Sequence, residues 1–101
     1  MKDWDKLLKK IEERNNPNEQ FKHVIGVSKL MIKDNNSFDV ALYKIAQENG
    51  RKESTIRAAC TRELKINTIE FKRLVGYPEE LVRFLIEKFP TRQKEIEDAL
   101  N

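Results

Sequence analysis

The chain has one cysteine and one histidine among 101 residues. A single cysteine excludes an internal disulfide. With only one histidine beside it, the usual zinc ligand sets cannot be assembled. Glycine and proline number three each, too few for a loop-rich or disordered chain. No apolar run approaches the roughly 18 residues that span a bilayer. The opening stretch MKDWDKLLKK lacks the continuous apolar core of a signal peptide. The expectation is a soluble cytoplasmic protein with no membrane contact.

Catalytic patterns are also missing. There is no glycine-rich phosphate loop. The acid pairs Glu12-Glu13 and Glu79-Glu80 sit on helices, where neighbours point about 100° apart and cannot share one substrate. Ser54 has no evident histidine partner. No catalytic residue, metal site or cofactor is expected, and the chain does not read as an enzyme.

Charge is plentiful. Charged residues make up 37% of the chain, and the net charge is +3. That total is too small to argue from, but its distribution is uneven. Residues 1–43 hold eight Lys/Arg against seven Asp/Glu, and residues 66–101 hold six against seven. Residues 44–65 hold six cations (Lys44, Arg51, Lys52, Arg57, Arg62, Lys65) against three acids (Glu48, Glu53, Glu63). A local positive excess suits an anionic partner; a solvated helix face is the plain alternative.

The apolar pattern is helical throughout. Trp4, Leu7, Leu8 and Ile11 recur at i, i+3, i+4, i+7, behind Asp3 as a cap. Trp4 reads as a packing residue. A second helix covers Asn18–Lys33, with Phe21, Val24, Ile25, Ser28, Met31 and Ile32 on one face, widened by Val27 and Leu30. VIGVSKLMI alone would also suit a strand, but no partner strand is nearby. Gly26 weakens this helix by about 1 kcal/mol relative to Ala. His23 reads as a surface or half-buried helix residue.

Ser37 then caps a third helix, with Asp39 in its first turn. Phe38, Ala41, Leu42, Ile45 and Ala46 form its apolar face, and Asn49-Gly50 closes it. A fourth helix carries Ile56, Ala59, Cys60 and Leu64 inward, and Ser54, Arg57, Ala58, Thr61, Arg62 and Lys65 outward. Cys60 reads as a small core residue. Asn67 and Glu70 suggest a capping box for a helix whose apolar surface is Ile69, Phe71, Leu74 and Val75, and which stops at Gly76. Pro78 suits the first position of the next helix, whose stripe is Leu81, Phe84, Leu85 and Phe89. Pro90 breaks it. Thr91 would cap a seventh, with Ile96, Ala99 and Leu100 inward.

Ala46, Gly50 and Ile56 stand in a particular relation. A small residue in the first helix is followed by Gly four residues on and a branched apolar residue six beyond that. With Thr55 before Ile56, the segment resembles the helix-turn-helix DNA-binding family. It departs from the family at Arg51, where an apolar residue is usual, and at Lys52, where Ser or Thr usually caps. The resemblance covers about a quarter of the chain. It implies that Ala46 allows close helix approach and that Ile56 anchors the second helix.

The expected fold is therefore a single all-α domain over residues 1–101. Its helix-turn-helix lies at about 37–65, between N-terminal helices in 2–34 and C-terminal helices in 67–101. The partner implied is double-stranded DNA, bound by a small transcriptional regulator or by the DNA-binding module of a larger protein. Lys52, Glu53, Ser54, Arg57, Ala58 and Thr61 match positions that approach bases, and Arg51, Arg62 and Lys65 match phosphate contacts. A homodimer or a larger complex would fit the outer helices. The competing reading is a helical adaptor whose basic face meets an acidic protein.

Overall fold

The computed structural model describes residues 17–101. The helix expected around Trp4–Ile11 lies outside them. Six α-helices follow in order: α1 Pro17–Lys33, α2 Phe38–Asn49, α3 Glu53–Cys60, α4 Thr68–Val75, α5 Pro78–Lys88 and α6 Gln93–Leu100. Two 3-10 turns, Arg62–Leu64 and Pro90–Arg92, link α3 to α4 and α5 to α6. Helix accounts for 82% of the described residues and no strand forms among them. The fold is all-α. No helix among them is long and apolar enough to cross a membrane.

The spatial hub is α1, which packs against α2, α3, α4 and α6. Its apolar residues cover more than one face, so it is buried from several sides. Phe21, Val24 and Val27 are fully enclosed, and Ile25, Leu30, Met31 and Ile32 pack around them. VIGVSKLMI is thus helical. His23 is buried too, at 3% exposure, which corrects the surface or half-buried position expected for it. A helix covered on two sides has too little open circumference to keep residue 23 in water.

Gly26 is more than a weak helix position. A Cβ built there would lie 2.7 Å from Ile45 Cδ1 of α2. Only glycine lets these two helices come so close without displacing Ile45.

The ends of α2 follow the sequence. Ser37 Oγ accepts the Val40 N–H at 3.2 Å. Gly50 takes the left-handed conformation, at φ 61°. Its N–H donates to Gln47 O and the Arg51 N–H to Ala46 O at 3.0 Å, as in a Schellman closure. The side chains of Ala46 and Ile56 are both in the core, at 3% and 0% exposure.

The following helix is shorter than expected. It stops at Cys60, whereas the apolar spacing carried it on to Leu64. Thr61 leaves helical geometry at φ −125°, ψ −83°, and its Oγ1 donates back to Arg57 O at 2.8 Å. Such back-bonding competes with the helix ladder. The chain tightens into the 3-10 turn, and Lys65 closes it in the left-handed region at φ 63°. Leu64 still reaches the core, because the tighter winding turns it inward.

Asn67 Oδ1 accepts the Glu70 N–H at 2.8 Å. Glu70 itself pairs with Arg73, which also reaches Glu80 at 3.1 Å and so ties α4 to α5. Ile69, expected to add buried apolar surface, is 80% exposed. In α5 the buried residues are Leu81, Val82 and Leu85; Val82 was absent from the expected stripe and Phe84 is only half-buried. Phe89 meets Phe21 edge-on, with centroids 5.2 Å apart. The N-cap of α6 is Arg92, without a side-chain cap bond, so Thr91 does not cap it.

Candidate nucleic-acid interface

The outward face of α3 is built by default. Ile56, Ala59 and Cys60 turn into the core, which leaves the residues between them outside. Glu53, Ser54, Arg57, Ala58, Thr61 and Arg62 line one open concavity of about 410 Å³. These are six of the nine residues expected to face nucleic acid. Ser54 and Ala58 are small, so the helix surface is low between its charged side chains. Arg62 stands in the 3-10 turn rather than on α3, and still reaches the same concavity.

The other three are arranged differently. Lys52 is the N-cap of α3 and makes no side-chain cap bond. Lys65 is exposed on the left-handed residue after the 3-10 turn. It is off the helix, so its placement depends on the turn and not on α3 register. Arg51 is half-buried, and both its Nε and its terminal nitrogen lie 2.7 Å from Glu19 Oε1 on α1. It braces the turn against α1.

Arg57 meets Asp39 on α2, with 3.4 Å between nitrogen and oxygen. Glu53, four residues before it, is the partner that helical spacing alone would offer. Both Arg57 and Asp39 are more than half exposed, so this pair is weak and easily opened by a competing anion. No described residue forms an ion pair or hydrogen bond with the Glu53 carboxylate.

Asp39 and Glu19 are the residues that sequence reasoning missed at this site. They lie 18 and 32 positions from their arginine partners, far beyond any local pairing rule. Their effect is electrostatic: each offsets one cation of the excess on residues 44–65. Lys52 and Lys65 have no acid within 4.0 Å among the described residues.

Two buried titratable groups lie nearby. Burial holds the His23 imidazole below its ordinary value; the Glu19 charge opposes this and the Arg51 charge adds to it. Its Nε2 is 3.7 Å from Glu19 Oε1, too far for a hydrogen bond, and has no hydrogen-bond partner among the described residues. Burial, and then the Glu63 charge, push the Cys60 thiol far above its ordinary value. Among the described residues, no three or more His, Cys, Asp or Glu side chains are grouped to hold a metal.

No protein-family model matches this chain, and neither does any curated protein or solved structure.

Proposed function

We propose that the chain binds double-stranded DNA by laying the outer face of α3 in the major groove. Kinship with helix-turn-helix proteins is part of this reading. So is a cytoplasmic role as a small transcriptional regulator or as the DNA-binding module of a larger protein, by binding and not by catalysis. One observation carries it. Glu53, Ser54, Arg57 and Ala58 of α3, with Thr61 and Arg62 just after it, line one open concavity, and the opposite face of the helix is locked into the core.

The chemistry suits a duplex. Arg57 stands one turn into α3, where its guanidinium is long enough to bond guanine O6 and N7 together. Ser54 and Ala58 keep the surface low enough for base edges to come near. Lys52 stands at the start of this face, among the positions that approach bases, and Arg62 and Lys65 beside it would meet phosphates. Arg51, engaged with Glu19, would contribute by fixing the turn.

The test is an NMR titration of the full chain with a generic duplex at low salt. The expected shifts cluster on residues 51–65 and fade as salt is raised. A spectrum unchanged by DNA, or shifts confined to another face, would overturn the reading. A specific observation favours the adaptor alternative. Val40, Tyr43, Ile69 and Tyr77 are 44%, 55%, 80% and 60% exposed, and large apolar side chains in water are available to a protein partner. That alternative leads if duplex DNA leaves the spectrum unchanged.

A further inference from the structure

We propose that Glu53 is a specificity determinant which accepts a hydrogen bond from an exocyclic base amino group in the major groove. This rests on the DNA reading above. Glu53 is the first residue of α3 and exposed. It lines the same concavity as Arg57. Arg57 is the cation four residues on, the natural helical partner of Glu53, but it turns to Asp39 instead. The Glu53 carboxylate is left with no partner among the described residues. It is an acceptor-only group at the tip of the helix that would enter the groove.

A free carboxylate is unfavourable on a surface that meets phosphates alone, because it repels them. It becomes favourable where a donor is offered. In the major groove the exocyclic amino donors are cytosine N4 and adenine N6. The spacing adds a geometric condition. Residues 53 and 57 are four apart, about 6 Å along a helix axis. Base pairs rise about 3.4 Å. The base read by Glu53 therefore lies one or two pairs from the guanine read by Arg57.

The experiment is selection from a randomised duplex library with the full-length chain and its Glu53→Gln, Glu53→Ala and Arg57→Ala variants. Circular dichroism melts of all four proteins check that each is folded. The wild type should enrich a cytosine or an adenine one or two pairs from a guanine. Glu53→Ala should lose that preference, by roughly 5- to 150-fold in discrimination, and keep the guanine. Generic DNA affinity should rise in the same variant, because a like charge has gone.

Glu53→Gln separates the two donors. Gln pairs with adenine through N6 and N7, so a wild-type cytosine preference should switch to adenine, whereas a wild-type adenine preference should persist. If Glu53→Ala selects the same motif as wild type while Arg57→Ala alters it, Glu53 serves only the helix dipole. The inference then fails and the DNA reading stands. If the folded wild type enriches nothing and binds no duplex, the DNA reading fails and takes this inference with it.

Discussion

Arg51 donates to Glu19 across 32 residues of sequence, at 2.7 Å, and fastens the turn after Gly50 to the first turn of α1. Both side chains are partly shielded, so the pair should be stronger than an exposed one. A double-mutant cycle on Glu19→Gln and Arg51→Gln, read by urea unfolding, should give a coupling of roughly 1 kcal/mol. An additive cycle would mean that the brace carries no energy. If Arg51 were also a phosphate contact, Arg51→Gln would reduce the salt slope of DNA binding, and on this geometry it should not.

Ala46 lies in the core of the helix pair, as does Ile56. Ala46→Leu would force extra methylenes into that space and cost roughly 1–3 kcal/mol. The urea midpoint measures it. A neutral effect would mean that the pair tolerates a larger residue between its helices, contrary to the burial seen.

Stability should depend on pH through His23. The unfolded imidazole titrates near 6.5 and the folded one below it. Above 6.5 both states are neutral and stability is at its full value. As pH falls through 6.5 the unfolded chain takes up its proton first, so stability drops until the folded value is passed. Urea midpoints from about pH 8 to about pH 5 should fall for the wild type. For His23→Gln the drop in that window should shrink. An equal slope in both proteins would assign the effect to other groups.

Cys60 is fully buried and its thiol is held protonated. A thiol reagent should modify it slowly in the native state and quickly in urea. Rapid native labelling would show that the core opens at α3.

The cations beside α3 should separate by role. Arg57→Ala should cost roughly 1–3 kcal/mol at a selected site and relax discrimination at one base pair. Arg62→Ala and Lys65→Ala should weaken all sequences alike and lower the salt slope by about one unit each. Quantitative binding at several salt concentrations tests both. Unchanged affinity at low salt in all three variants would remove this face as a DNA contact.

Sequence by itself determined the helices of the described residues and most of their ends. Ser37, Gly50, Asn67 and Pro78 act through groups within a few residues of themselves, so local chemistry suffices. Periodicity also placed Ile56, Ala59 and Cys60 inward, and thereby the outer face of α3. Tertiary structure decided the rest. The hub is α1, because burial from several sides depends on how other helices stack on it; that same stacking buries His23 and makes Gly26 a contact point for Ile45. The end of α3 at Cys60 came from Thr61 bonding its own helix, which apolar spacing does not register. Most of all, the partners of Arg51 and Arg57 came from the packing of other helices against the turn and α3. Charges pair through space, and only the folded chain brings Glu19 and Asp39 within reach.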